Sequence, residues 1–146
     1  EHIFKPAGMT NTGAFDLDDS VPNRAVGYTR RSPRGPASDG GRRSNLFQTA
    51  FKGSPAGGSF STVDDLLRLD TALRSGILYK DGRKQAGMGV AGGTAGCNAI
   101  LEQIPGGYTL IVLSNYDPPS ASKIGETVRG WMGMSDGPEG KVVRRP

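Results

Sequence analysis

The most regular alternation of apolar and polar positions in the chain lies between residues 54 and 76. Its apolar side chains recur at helical spacing, which predicts an amphipathic α-helix. Ser61 is followed three positions later by Asp64, a capping-box-like pattern that favours Ser61 as the N-cap. Gly76 ends the pattern, as glycine often does at a helix C-terminus. The residues at this spacing are Val63, Leu66, Leu67, Asp70 and Leu73, and Leu69 and Ala72 widen the stripe.

A second pattern, over residues 87–115, predicts three antiparallel strands. The first is a glycine-rich run at 87–93, and the second covers 97–104. The third, at 108–113, is β-branched and aromatic without a breaker, so we expect it to be buried. A Pro-Gly-Gly sequence between the last two supplies the positive φ of a tight hairpin. Glycine weakens a strand unless another group approaches its backbone, so the first strand is a candidate ligand site.

A shorter pattern predicts a second helix over residues 120–132, directly after two prolines whose fixed φ favours a helix start. We place Ile124, Val128 and Trp131 on its inner face. Two stretches lack apolar periodicity: residues 30–45 are predicted to form an exposed loop, and residues 133–146 a polar, basic tail. Together these elements predict an α+β fold in which an antiparallel sheet packs against helices.

Composition narrows the functional classes. With 146 residues, 35% of them hydrophobic, 23 glycines and 10 prolines, the chain fits a loop-rich α+β protein or a piece of a larger one. A net charge of +4, without aromatic residues among the basic ones, favours a solvated surface over nucleic-acid binding. A small polyanion-binding protein stays as a third hypothesis that rests on charge alone. No apolar run reaches the length of a membrane span, so we expect no membrane partner.

The side chains that most often carry chemistry give little support for a site of their own. His2 is the single histidine, so a histidine triad or a zinc site has no support. Cys97 lies on the strand face of Ala99 and Leu101, which favours a buried, inert thiol over a reactive one. Asp64 and Asp65 are interpreted as first-turn charges of the helix, not as an acid pair. We expect no metal and no cofactor.

Five short motifs follow one another in an order that is known from one family. They are Ile3-Phe4-Lys5-Pro6-Ala7-Gly8-Met9-Thr10-Asn11-Thr12, then Ala25-Val26-Gly27-Tyr28, then residues 55–66, then Gly92-Gly93-Thr94-Ala95-Gly96 with Asn98, and then residues 112–117. In this order they resemble the serine β-lactamase-like hydrolases, which include class C β-lactamases, D-alanyl-D-alanine carboxypeptidases and related esterases. The resemblance implies a partial β-lactamase-like (DD-peptidase) fold, with residues 1–132 as the C-terminal portion of such a domain.

The resemblance also implies a reaction for the parent family, which hydrolyses amides or esters through an acyl-serine intermediate. Its nucleophile belongs to a Ser-x-x-Lys motif and is assisted by a Tyr-x-Asn motif, because a serine hydroxyl needs a neighbouring base. We assign neither motif to this chain, and we expect both to lie ahead of Glu1. We therefore assign no catalytic residue and expect the chain to be inactive alone.

The family's third motif, Lys/His-x-Gly, falls on Val90-Ala91-Gly92, where valine removes the polar role. Gly93 matches a position whose backbone N–H helps to form the oxyanion hole. Substrate binding is thus predicted at Val90, Ala91, Gly92 and Gly93; the alternative is a tight strand-to-turn passage without a ligand. Apolar faces that would pack on the missing half predict self-association or a second chain. The runner-up function is a reduced, non-catalytic binding or interaction module.

Overall fold

A computed structural model describes residues 2–16, 18–32, 40–46, 48, 52–81, 84 and 87–134. The predicted basic tail falls almost entirely outside these residues. Within them, short strands precede one helix, a three-stranded sheet and a second helix, which confirms the α+β prediction. The elements are β1 (Tyr28–Thr29), β2 (Arg43–Ser44), α1 (Val63–Ser75), β3 (Gly89–Thr94), β4 (Cys97–Ile104), β5 (Tyr108–Ser114) and α2 (Ser120–Trp131).

The main sheet is antiparallel with the order β3-β4-β5, so that β4 is central. The turn between β4 and β5 uses Gly106 and Gly107 at φ 87 and 84°, as the Pro-Gly-Gly sequence predicts. The prediction that the third strand is buried is wrong: β5 is mostly half-buried, and Leu113 is 41% exposed. The reason is its position, because β5 has a neighbouring strand on one side only among the described residues.

The two helices cover opposite faces of the sheet. Gln103 of β4 bonds to Asp70 of α1, whereas its neighbour Glu102 bonds to Arg129 of α2. Since successive strand residues point to opposite faces, odd-numbered residues of β4 face α1 and even-numbered ones face α2. The buried side chains Leu101 and Ile100 follow this alternation. A second small cluster joins the N-terminal segment to α1 through Ala7, Met9 and Ala72.

Helix α1 begins one residue later than predicted. Thr62, not Ser61, is the N-cap: its backbone is extended and its side chain accepts a hydrogen bond from the Asp65 N–H. The Ser61 hydroxyl bonds instead to Thr12 at 2.8 Å. The end of the helix is as predicted, with Gly76 in the left-handed region at φ 80°.

Asp65 was predicted to be a first-turn charge of the helix, and it has an additional structural role. Its side chain is fully buried and accepts hydrogen bonds from the Asn11 N–H, the Thr12 hydroxyl and Arg68. Burial would raise the pKa of this carboxyl, but these bonds outweigh burial and lower the pKa below its usual 3.8. Asp64, by contrast, is exposed. The charged Asp65 therefore anchors the N-terminal segment to α1.

Asp70 makes the equivalent connection between α1 and the sheet. It is 3% exposed and accepts hydrogen bonds from Arg74 at 2.9 Å, from Thr109 at 2.6 Å and from Gln103. Desolvation opposes the charged form, yet the three donors and the Arg74 charge together lower the pKa of Asp70. An aspartate within the apolar stripe of the helix is thus a polar link to β4 and β5.

The predicted inner face of α2 is wrong at Ile124 and Trp131, whereas Val128 is half-buried. Ala121 and Gly125 are the buried positions, whereas Ile124 is 50% and Trp131 is 81% exposed. A Cβ on Gly125 would lie 2.4 Å from the Ile100 Cδ1, so glycine here allows α2 to approach the sheet closely. The hydrophobic positions alone could not reveal a contact face that is built from small residues.

The prediction of an exposed loop at 30–45 is wrong at its end. Arg43 and Ser44 form β2, which pairs with β1, and Asn45 is 7% exposed. The Asn45 side chain donates to the Ala95 carbonyl at 2.9 Å, which ties this segment to the turn between β3 and β4. Residues 33–39 lie outside the described part of the chain.

The buried aspartates predict a decline of stability in acid. Because the folded pKa of Asp65 and of Asp70 lies below the usual 3.8, their contribution is complete above that value and is lost as pH falls through the folded pKa. We expect the urea midpoint to be steady between about pH 7 and 5 and to fall below about pH 4. Asp70→Asn should cost about 1–3 kcal/mol at pH 7 and less in acid.

The matched control is Asp64→Asn, an exposed position on the same helix, for which we expect a loss of about 0.5 kcal/mol or less. Equal losses from the two variants at pH 7, measured by urea denaturation, would contradict the assigned role of Asp70.

Candidate functional site

Strand β3 has one free edge among the described residues, because only β4 pairs with it. All six of its residues are exposed. The Gln103 N–H donates to the Met88 carbonyl just ahead of the strand, and hydrogen-bonded pairs alternate along an antiparallel ladder. By this register, the backbone N–H and C=O groups of Gly89, Ala91 and Gly93 point away from β4. The free edge therefore presents backbone donors and acceptors to an approaching molecule.

The four predicted substrate-binding residues are consecutive on this edge strand and divide between its faces. Val90 and Gly92 pair with Leu101 and Ala99, on the face towards α1, and Val90 is 57% exposed. Ala91 and Gly93 lie on the other face and have their backbone groups on the free edge. The position where the resemblance expects Lys or His thus offers only an apolar surface.

Gly93 packs closely against Pro118, which directly precedes the N-cap of α2. A Cβ at this position would lie 2.5 Å from the Pro118 Cγ and 3.0 Å from both the Asn98 Nδ2 and the Cys97 carbonyl oxygen. At Gly92, by contrast, a Cβ would meet nothing within 4 Å. The side of β3 that carries Gly93 is therefore closed, and its backbone is accessible from the strand edge.

Asn98 lies directly behind this contact and is 4% exposed. Its Nδ2 donates to the Gly92 carbonyl at 2.8 Å, and its Oδ1 accepts the Ala121 N–H at 2.8 Å. Asn98 belongs to the fourth of the five sequence motifs, and its position there predicted no role for it. The available signal was its place on the inward-facing, even-numbered side of β4, where a polar residue must find partners.

Asp117 holds the turn between β3 and β4. Its Oδ1 accepts the Thr29 hydroxyl at 2.5 Å and the Gly96 N–H at 2.9 Å, and its Oδ2 accepts the Arg30 N–H at 2.8 Å. Burial would raise the pKa of this carboxyl, but the three hydrogen bonds and the Arg31 charge lower it. The charged form of Asp117 therefore fixes the far end of β3.

The expectation that the chain holds no Ser-x-x-Lys sequence is wrong, because one occurs at Ser120-Ala121-Ser122-Lys123, beyond the five matched motifs. It forms the first turn of α2. The Ser120 hydroxyl donates to the Tyr116 carbonyl at 3.2 Å, and no hydrogen bond joins it to Lys123 in the described structure. Because no base contacts the hydroxyl, the geometry does not provide an activated nucleophile at this serine.

Cys97 is exposed, so the expectation that it is buried is wrong. It opens β4 beside the Gly96 turn, at the end of the sheet. Partial desolvation of the sulfur nevertheless raises the pKa of the thiol.

Across the described residues there is no group of His, Cys, Asp and Glu side chains that could hold a metal ion. In the same part of the chain, neither helix has the length and apolar character needed to cross a membrane.

Comparisons with known proteins agree on one fold. A family model described as Beta-lactamase matches residues 1–108. The crystal structure of penicillin binding protein from Bacillus halodurans is similar to this chain, with a TM-score of 0.73 and 20% sequence identity. The match covers 89% of this chain and 47% of that chain, so this chain spans about half the length of the solved protein. The search of curated proteins found no match.

The contact between Gly93 and Pro118 predicts a difference between neighbouring glycines. Gly93→Ala should destabilise the fold by about 1–3 kcal/mol, because the added methyl overpacks against a proline ring. Gly92→Ala meets open space, and we expect a change within about 1 kcal/mol in either direction. Urea denaturation of the two variants makes the comparison, and equal effects would rule out the close contact.

Proposed function

Since the chain belongs to the β-lactamase family, we propose that it supplies the edge-strand half of an acyl-serine hydrolase cleft. The nucleophile then comes from a polypeptide segment other than these 146 residues. The observation that carries the proposal is the free edge of β3, where the Gly93 N–H points outward from a strand with almost no side chains. A backbone donor at an open edge can meet an acyl group that a larger side chain would exclude.

The chemistry that this edge supports is stabilisation of developing negative charge. When a serine attacks an amide or ester carbonyl, the carbonyl oxygen becomes an oxyanion, and preorganised N–H donors stabilise it. The Gly93 N–H is one such donor and needs no side chain. It does not activate a serine hydroxyl, which requires a neighbouring base. The proposed role is therefore substrate positioning and charge stabilisation, with no hydrolysis by the chain alone.

A non-catalytic binding module is the second candidate, and Val90 is the observation that favours it. This side chain is 57% exposed at the position where the resemblance implies a lysine or histidine. Valine offers apolar contact without charge or a hydrogen bond. A cleft that has lost this polar group could still hold an extended or apolar ligand along the strand.

Among the described residues, an apolar surface on α1 and just beyond its end is exposed, which supports a contact with another polypeptide. Val63, Leu67 and Ile77 are 47%, 49% and 62% exposed, and the last two line an open groove of about 410 Å³. The occupant that we propose is the segment that carries the nucleophile, because this chain spans only 47% of the solved relative. A second copy of the chain is the competing occupant, which sedimentation of the chain alone would reveal as a concentration-dependent dimer.

The central experiment is covalent trapping with a fluorescent penicillin and an activated ester, read by intact mass. We expect no adduct on the 146-residue chain. In the complete polypeptide of the same reading frame, we expect one adduct on the serine of a Ser-x-x-Lys segment ahead of Glu1. A reading frame that begins at Glu1 would favour the non-catalytic binding module.

Ser120→Ala is the matched control, because Ser120 belongs to the one Ser-x-x-Lys sequence in the chain. An adduct on the unchanged chain that this substitution removes would place the nucleophile on α2 and overturn the proposal. The same trace of adduct on the unchanged chain and on Ser120→Ala would indicate non-specific acylation and would exclude Ser120 as the nucleophile.

A further inference from the structure

We propose that Asn98 is the positioning residue for the Gly93 N–H, and that it couples this donor to the start of α2. The inference rests on the proposed function, in which the Gly93 N–H stabilises the oxyanion. It goes beyond that function because Asn98 would not itself touch the substrate. Its side chain would act through the peptide group between Gly92 and Gly93.

The first step is the geometry of that peptide. The Gly92 carbonyl and the Gly93 N–H belong to one planar unit, and in a trans peptide they point in opposite directions. The Asn98 Nδ2 holds the carbonyl at 2.8 Å from the β4 side. The N–H is thereby directed to the free edge of β3. A bond to one end of the peptide fixes the direction of the other.

The second step is the freedom that this bond removes. Two consecutive glycines have more accessible backbone conformations than any other pair, and an edge strand has ladder bonds on one side only. Donors of an oxyanion hole are effective when their direction is set before the reaction. A buried side-chain donor behind the Gly92-Gly93 peptide supplies this restraint, in addition to the ladder bonds to β4.

The third step is the other end of the Asn98 amide. Its Oδ1 accepts the N–H groups of Ala121 at 2.8 Å and Ser122 at 3.4 Å, in the first turn of α2. The N-cap residue Pro119 provides no side-chain capping bond. Asn98 therefore satisfies helix donors that would otherwise lack a partner. The single buried amide of Asn98 thus donates a hydrogen bond to the Gly92 carbonyl of β3 and accepts hydrogen bonds from α2.

These two roles can be separated by Asn98→Asp. An aspartate keeps two acceptor oxygens for the α2 N–H groups, but it has no N–H for the Gly92 carbonyl. We expect α2 to keep its start while the Gly92-Gly93 peptide loses its restraint. The matched control is Asn45→Asp, because the Asn45 Nδ2 donates at 2.9 Å to the Ala95 carbonyl of the adjacent turn.

The test uses ¹⁵N relaxation of the chain. In the unchanged protein, the Gly93 amide should have an order parameter of about 0.85, and Asn98→Asp should lower it to about 0.6 or less. The amides of Ala121 and Ser122 should stay ordered, and Asn45→Asp should leave Gly93 unchanged. A Gly93 amide that is equally ordered in Asn98→Asp would overturn the proposal, as would a loss confined to α2.

A second measurement needs no variant and decides the matter if Asn98→Asp does not fold. The Asn98 side-chain amide protons should exchange with solvent about tenfold or more slowly than those of the exposed Asn23, because one of them is bonded within the fold. Equal exchange rates would show that the bond to Gly92 is not formed and would reject the assignment.

Catalysis gives a separate readout. In a polypeptide that contains both these residues and the serine nucleophile, Asn98→Asp should lower kcat about 10- to 100-fold with little change in KM, since the donor acts on the transition state. A change in KM alone would contradict the positioning role. If no such polypeptide is acylated, the proposed function fails, whereas the Gly93 relaxation still decides what Asn98 holds.

Discussion

The geometry of β3 depends on hydrogen bonds that reach it from behind. The strand has a partner on one side only among the described residues, and half of it is glycine. Asn98 holds the Gly92 carbonyl, and Asp117 holds the Gly96 N–H at the following turn. Both side chains connect the strand to the entrance of α2. The free edge is thus ordered by polar contacts on its covered side, which leaves its outer backbone groups available.

Buried carboxylates make similar connections elsewhere in the fold. Asp65 joins α1 to the N-terminal segment, and Asp70 joins the same helix to the sheet. Each accepts several hydrogen bonds, which compensate the cost of burying its charge. The apolar clusters are small, so these bonds determine how the layers meet. This arrangement explains why a chain with a modest hydrophobic content has a defined sheet between two helices.

Much of the fold was predictable because it follows from local patterns. The helical stripe, the Gly76 stop and the hairpin at Gly106 and Gly107 depend on residues close together in sequence. The predictions were wrong where contacts between residues far apart in sequence determine the local structure. Ser61 bonds to the distant Thr12 while Thr62 is the N-cap, and the close approach at Ile100 selects Gly125 for the inner face of α2.

For the candidate site, the sequence predicted the position of the strand but not the direction of its backbone groups. A glycine run indicated where a backbone could be approached, but the direction of its N–H groups depends on the register with β4. The part played by Asn98 could not be read from the sequence, since its partners lie on β3 and α2. The resemblance to the family predicted a cleft edge at this strand, and the contacts show what holds the strand in place.

Residue-resolved hydrogen exchange along β3 distinguishes an open, ordered outer edge from an occupied or a loose one. We expect the exchange rates to alternate along the strand: the Val90 and Gly92 amides, which face β4, should exchange slower by about two orders of magnitude or more than those of Ala91 and Gly93. Slow exchange at all four would mean that the edge is occupied. Fast exchange at all four would mean that β3 is not held against β4, and either result would exclude an open, ordered edge.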